Sequence, residues 1–180
     1  NQYLKNANSN YISDERLAIA QIGLQAYFIL FLFSTGMNDS TASTLMWNEN
    51  YTIEKEIPEF RNIKYRAGNK IVEFQIVSKL INLFKKFINL RNYLLLDNSK
   101  NEYLFFQGYG ENSYISTTSE NGNLSSYINS RISKIFNTNK LKCLSSRTIR
   151  LYKTKYLIKH HGIIQAANVA QTSVTTFLKH

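Results

Sequence analysis

Arg147 and Arg150 lie three residues apart near the start of a predicted helix. Arginine presents a planar fork of N–H donors and a charge that does not titrate, so it suits the bidentate binding of phosphate oxygens. It cannot act as a base near neutral pH. Lys153 follows at i+3 from Arg150, on the same helical face, and Lys155 lies close by. These residue types can hold an anionic group such as a phosphate.

A second set of cations lies on a predicted β-hairpin. Lys64, Arg66 and Lys70 belong to two β-rich runs that flank Ala67-Gly68-Asn69, a sequence typical of hairpin turns. They are candidates for further anion contacts. The alternative is that they are ordinary solvent-facing cations of a strand, and the spacing does not distinguish the two.

The whole chain is strongly basic. It carries 22 Lys and Arg against 12 Asp and Glu over 180 residues, a formal net charge of +10. Such a balance favours a polyanionic partner, which is either a nucleic acid or an acidic membrane surface.

Cysteine and histidine give little support to a metal site or a cofactor. Cys143 is the single cysteine, which excludes an internal disulfide and a thiolate metal cluster. His160 and His161 are adjacent, so they point in different directions and do not form a metal pair. The first residues lack the apolar segment of a signal peptide, and the absence of an initiator Met indicates a fragment of a longer protein.

The hydrophobic pattern predicts one mostly α domain with a small antiparallel β-sheet, an α+β fold. The apolar run Ala26–Phe33 is too short for a membrane span and favours a buried core helix. A polar loop is predicted to end at Pro58, and YLFF (Tyr103–Phe106) is predicted to be a short strand or a buried turn. The first predicted helix runs from Ser13, a plausible N-cap, to about Phe33, with Gly36 as its stop. The others are Ser40–Met46, one from Ser78 with Lys79, Lys85, Lys86 and Arg91 largely on its outer side, Leu124–Phe136, Ser145 or Ser146 to His160, Ile163–Ala170, and Ser173 to the end. Gly162 is predicted to break the helical backbone between the helix that ends at His160 and the one that begins at Ile163.

Three blocks of the chain follow one another in a recognisable order. The first is FSTGMNDSTASTLMW (Phe33–Trp47), which contains Thr-Gly-Met-Asn and ends in Leu-Met-Trp. The second is the hairpin Ile63–Ile76, and the third is SSRTIRLYKTKYLIKHHG (145–162). Together they resemble the catalytic domain of tyrosine recombinases, the phage integrase family.

The resemblance assigns roles to particular residues, with departures from the family pattern. The family has an arginine where Asn38 stands and a histidine where Arg147 stands, while Arg150 corresponds to the second catalytic arginine. A further family histidine falls on Thr172. The nucleophilic tyrosine, nine residues after that histidine, falls one residue beyond His180.

The resemblance also implies roles for the lysines. The family places a general acid toward the leaving 5′ oxygen on the hairpin, and Lys64, Arg66 and Lys70 are the candidates, which the spacing does not distinguish. Lys64 is favoured, and Arg66 and Lys70 are then expected to contact DNA. Lys153 and Lys155 are candidates for DNA contacts that compensate for the charge missing at Asn38.

The implied reaction is DNA breakage and rejoining through a 3′-phosphotyrosine link, with no metal or cofactor. The implied partner is double-stranded DNA, to which the protein binds as an oligomer. No membrane partner is implied. The implied setting is the bacterial cytoplasm and a mobile element. Residues 1–180 would form a single catalytic-like domain that lacks an upstream DNA-binding domain and ends just before the tyrosine.

Three hypotheses remain open at this point. The chain is a site-specific recombinase domain, a catalytically inactive DNA-binding relative, or a helical protein-interaction domain. The neutral residues Asn38 and Thr172 favour the second over the first. Cations scattered over the surface, rather than clustered, would favour the third.

Overall fold

The computed structural model describes residues 12–57, 60–67, 70–96, 101–112, 133, 136–140 and 145–169. In chain order, its regular elements are helices α1 (Asp14–Thr35) and α2 (Asp39–Ser43), strands β1 (Tyr51–Ile57), β2 (Phe60–Ala67) and β3 (Lys70–Val77), and helices α3 (Ile81–Leu95) and α4 (Ser146–Val169). Short 3₁₀ turns span Ser78–Leu80 and Gly110–Asn112. The predicted α+β class, mostly helical with one small antiparallel sheet, is confirmed.

Helix α1 is the element around which the others pack, since it contacts α3, α4 and β3. The hydroxyl oxygen of Ser13 accepts a hydrogen bond of 3.3 Å from the Arg16 N–H and so caps the first turn. Asp14 and Glu15 follow in that turn, where carboxylates favour the helix dipole. The helix ends just before Gly36, as the sequence predicts.

The composition of α1 also meets the criterion for a membrane span. Among the described residues it is the one helix that is long and apolar enough, and half of its most apolar window is buried inside the domain. Leu24, Phe28 and Phe31 on that buried side have no exposed surface, as expected of a core helix. Its other side leaves several large apolar side chains exposed, namely Ile19, Ile22, Leu30 and Phe33.

The sheet is a three-stranded antiparallel meander in the order β1-β2-β3. Strands β2 and β3 pair as the predicted hairpin, with Ala67 opposite Lys70. The predicted turn residues Gly68 and Asn69 lie outside the described residues. The prediction of a polar loop before Pro58 is wrong, because strand β1 occupies most of that segment. Tyr51 and Ile53 alternate with polar residues there, and this period of two is compatible with an edge strand that has one solvated face.

An aromatic cluster fills the core between α1, the sheet and α3. Phe31 packs edge-on against Phe74 at 5.1 Å and Phe105 at 5.0 Å between ring centroids. Phe105 and Phe106 are fully buried and the chain bends at Leu104 and Phe105, in keeping with the buried turn predicted for YLFF, while Tyr103 forms a single antiparallel bridge with Met46. Trp47 packs against the ring of Tyr65, whose hydroxyl donates a hydrogen bond of 2.6 Å to the Met46 carbonyl.

Helix α3 differs from its predicted pattern at one residue. Lys85 and Lys86 are exposed as expected, but Arg91 is only 3% exposed. Its guanidinium donates to the backbone carbonyls of Asn101 and Tyr103, so a pattern of apolar spacing could not reveal its burial. Burial lowers the pKa of Arg91 to about 10, although nearby Glu49 acts in the opposite direction.

Helix α4 continues beyond its predicted end across a kink. Gly162, at φ 80° and ψ 167°, interrupts the helical backbone between the predicted helix and a second helical segment that reaches Val169. The predicted break at Gly162 is therefore confirmed. The predicted helix Leu124–Phe136 lies mostly outside the described residues, and the one from Ser173 lies wholly outside them.

Candidate functional site

A pocket of about 220 Å³ is lined by residues from two distant parts of the chain. Asn38 and Asp39 come from the corner between α1 and α2, while Ser146, Arg147 and Arg150 come from the start of α4. This pocket therefore brings together three candidates from the sequence, namely Asn38, Arg147 and Arg150. A pocket of this size can hold a phosphate group together with ordered water.

The corner that presents Asn38 depends on Gly36. This residue has φ 70° and ψ 11°, the left-handed conformation that costs other residues about 1–2 kcal/mol. Its N–H donates to the Leu32 carbonyl at 2.8 Å, and the Met37 N–H donates to Thr35 Oγ1 at 3.1 Å. Met37 is buried, so the next residue, Asn38, emerges at the surface.

Asn38 caps the short helix α2. Its side-chain oxygen accepts hydrogen bonds from the N–H of Ser40 at 3.3 Å and from the Ser40 hydroxyl at 3.2 Å. Since the amide oxygen is used locally, the amide nitrogen is the group that can donate toward the pocket. It offers neutral hydrogen bonds without a charge.

The start of α4 favours an anion through the helix dipole and through the charges of two arginines. Ser145 caps it, because its hydroxyl accepts from the Thr148 N–H at 3.2 Å. Ile149 is buried and anchors the helix, which leaves Arg147 exposed and Arg150 half-buried beside the pocket. The positive end of the helix dipole therefore adds to the two guanidinium charges.

Asp39 is a pocket residue that the sequence analysis did not identify. Its Oδ2 accepts a hydrogen bond of 3.1 Å from the Ser146 hydroxyl, across 107 positions of sequence. Its Oδ1 accepts a hydrogen bond of 2.9 Å from the Ser40 N–H. An acidic residue in the first turn of α2 was the available signal, but nothing in the sequence indicated its partner on α4.

Two lysines of α4 lie in different surroundings. Lys153 is 7% exposed, and its Cγ would lie 3.2 Å from a β-carbon added at Gly36. It is thus packed under the corner instead of facing solvent. Lys155 is exposed, about 140° around the helix from Arg150, and does not line the pocket.

The two hairpin cations whose side chains are described do not contribute to the pocket wall. Lys64 is half-buried and Arg66 is exposed on β2, and neither lines the pocket. Residues 64 and 66 point to the same face of the strand, since side chains alternate along it. The side chain of Lys70 and all of Thr172 lie outside the described part of the chain. The roles of all four remain predictions.

The described residues contain no group of three or more His, Cys, Asp or Glu side chains placed to hold a metal ion. The pocket itself offers one carboxylate and two guanidinium groups, a set that suits an anion better than a cation.

Comparison with solved structures finds the same fold in a DNA complex. The structure of the XerH site-specific recombinase bound to its difH substrate, in a pre-cleavage complex, matches with a TM-score of 0.56 and 19% sequence identity. The match covers 97% of this chain and 46% of the recombinase chain, so this chain spans about half the length of that protein. No family model and no curated protein matches the sequence.

These findings define the class of fold. The chain has the architecture of a tyrosine recombinase catalytic domain, and the resemblance drawn from its three sequence blocks is confirmed at the level of the fold. The pocket lies where two of those blocks meet, at the corner after α1 and the first turn of α4.

Proposed function

We propose that this domain binds double-stranded DNA and holds a backbone phosphate in the pocket of Asn38, Arg147 and Arg150. The observation that carries the proposal is the convergence of these side chains from segments more than 100 positions apart on one pocket. The basic net charge of +10 and the recombinase fold support it.

The pocket matches the chemistry of a phosphodiester. Two guanidinium groups can bind its non-bridging oxygens, and the first turn of α4 adds its dipole. The Asn38 amide can donate one or two further hydrogen bonds. Binding at this pocket would also displace counterions from the duplex, which makes the affinity depend on salt.

Strand cleavage through a tyrosine is the second candidate function. The recombinase fold and the pocket favour it, and Asn38 opposes it because this residue brings no positive charge. The transition state of phosphoryl transfer concentrates negative charge on the phosphate oxygens, and loss of one donor costs about 10²–10³ in rate. Arg147 can bind the phosphate but cannot supply a proton as a histidine would. We therefore propose holding of DNA as the main activity.

The test is equilibrium binding of a short fluorescent duplex to the wild-type domain and two double variants. Arg147→Ala/Arg150→Ala is expected to weaken binding at least tenfold. Lys85→Ala/Lys86→Ala removes the same charge from the exposed side of α3 and is expected to have a much smaller effect. Equal effects of the two variants would contradict a specific role of the pocket.

A second experiment addresses cleavage. We also propose that a mobile element encodes the protein. The natural protein is incubated with DNA from the ends of that element and analysed on a denaturing gel. A covalent adduct that maps to a tyrosine would establish the second candidate. Salt-sensitive binding without an adduct would leave DNA holding as the activity.

A further inference from the structure

We infer that Asp39 is a positioning residue of the phosphate pocket, acting through Ser146. It fastens the first turn of α4 to the corner after α1, and so sets the distance between the Asn38 amide and the two arginines. This inference rests on the proposed function, because positioning is meaningful only if the pocket holds a phosphate.

The two carboxylate oxygens of Asp39 bind two different segments. Oδ1 accepts from the backbone N–H of Ser40 at 2.9 Å, within α2. Oδ2 accepts from the hydroxyl of Ser146 at 3.1 Å, in the first turn of α4. Both Asp39 and Ser146 are half-buried beside the pocket, so the bond between them is only partly exposed to competing water.

The geometry of the pocket depends on how these segments meet. Asn38 precedes Asp39 directly, and Arg147 follows Ser146 directly, so each residue of the bonded pair is the chain neighbour of a pocket side chain. A small displacement of α4 against the corner would separate the amide donor from the guanidinium donors. Phosphate binding by several donors is sensitive to shifts of this kind.

The negative charge of Asp39 weakens phosphate binding, whereas its hydrogen bond to Ser146 is expected to favour it. A carboxylate in the pocket repels a phosphate through space, whereas its hydrogen bond to Ser146 organises the donors. The two effects can be separated, since Asp39→Asn removes the charge and keeps the size, with its oxygen able to accept from the Ser40 N–H and its NH₂ able to donate to the Ser146 hydroxyl oxygen. Ser146→Ala removes the hydrogen bond and keeps the charge.

The experiment measures the affinity for a short duplex in a double-mutant cycle. Ser146→Ala is expected to weaken binding about 3–10-fold, in keeping with about 1 kcal/mol for one hydrogen bond. In the Asp39→Ala background, Ser146→Ala is expected to have no further effect. Asp39→Asn is expected to bind at least as tightly as the wild type.

Thr44→Ala, an exposed change at the other end of α2, serves as the matched control and is expected to leave affinity unchanged. Thermal unfolding of each variant excludes loss of the folded domain. The inference is overturned if Ser146→Ala has no effect, if its effect is the same in both backgrounds, or if Asp39→Asn binds as weakly as Asp39→Ala.

The positioning role of Asp39 and the phosphate pocket are tested by different variants. If Arg147→Ala/Arg150→Ala weakens binding and Ser146→Ala does not, the positioning role is wrong and the phosphate pocket stands. If the arginine variant binds as tightly as the wild type, the pocket and the positioning role are both wrong.

Discussion

The guanidinium of Arg91 donates two hydrogen bonds to the backbone carbonyl of Tyr103, from Nε at 2.9 Å and from Nη2 at 2.8 Å. Nη2 also donates to the Asn101 carbonyl at 3.1 Å. This arrangement fixes the segment that inserts Phe105 and Phe106 into the core. Arg91 on α3 therefore holds in place the aromatic side chains that pack against α1, the helix that leads into the corner of Asn38.

Replacing Arg91 by alanine is expected to lower the free energy of unfolding by about 3–5 kcal/mol, because buried carbonyls lose their partner along with a well-packed side chain. Urea denaturation measures the change. Lys86→Ala on the same helix is exposed and is expected to change the free energy by less than about 0.5 kcal/mol. Similar losses for the two variants would contradict the structural role of Arg91.

The stability of the domain is expected to fall above pH 10. Burial raises the pKa of Tyr27 and of Tyr65 above the usual value near 10. The unfolded chain releases these protons first as the pH rises, so their contribution to stability is complete below pH 10 and declines above it. The lowered pKa of Arg91 acts in the opposite sense in the same window.

Tyr27→Phe isolates this effect from that of Arg91. The ring stacks on Phe87 at 4.2 Å, and phenylalanine keeps that contact. The variant is expected to match the wild type at pH 7 and to lose less stability between pH 9 and 11. Tyr65→Phe also loses a hydrogen bond to the Met46 carbonyl, so it is expected to cost about 1 kcal/mol at pH 7. Parallel pH profiles of wild type and Tyr27→Phe would refute the assignment.

Gly36→Ala is expected to destabilise the domain by about 1–2 kcal/mol through the left-handed backbone, and further through steric contact. The added β-carbon would lie 3.2 Å from Cγ of Lys153. Adding Lys153→Ala to Gly36→Ala is expected to relieve the steric part, which appears as a positive coupling in thermal unfolding. If the effects of Gly36→Ala and Lys153→Ala on stability are strictly additive, the contact between the added β-carbon and Lys153 does not contribute to the destabilisation.

Asn38→Arg is expected to tighten duplex binding several-fold, because it adds a charged donor to the pocket at an exposed position where screening limits the gain. It is also expected to lower stability by about 0.5–2 kcal/mol through loss of the cap on α2. Asn89→Arg, which adds the same charge to the exposed side of α3, is the control. Equal tightening by both variants would show a general charge effect and no contribution from the corner.

The sequence predicted the elements that have strong local signals. The cap at Ser13, the stop at Gly36 and the kink at Gly162 each follow from one residue type in one backbone conformation, and the pairing of β2 with β3 follows from the two β-rich runs. The three blocks also indicated the fold. Strand β1 was missed because its alternation is mixed with charged residues, as is common at a solvated edge.

The pocket was predictable only in part. Asn38, Arg147 and Arg150 followed from the resemblance, but their meeting in space depends on the packing of α4 against α1. The bond between Asp39 and Ser146 and the burial of Arg91 and Lys153 are long-range contacts. Helical periodicity describes one element at a time, so it contains no signal for such contacts.

The salt dependence of duplex binding shows whether the pocket of Arg147 and Arg150 holds a DNA phosphate. For the wild type, the logarithm of the affinity should fall linearly with the logarithm of the salt concentration, and the slope reports the number of neutralised phosphates. Arg147→Ala/Arg150→Ala is expected to reduce the slope by about 1, as for the loss of a single phosphate contact, while Lys85→Ala/Lys86→Ala leaves it unchanged. An unchanged slope for the arginine variant would contradict the claim that this pocket holds a DNA phosphate.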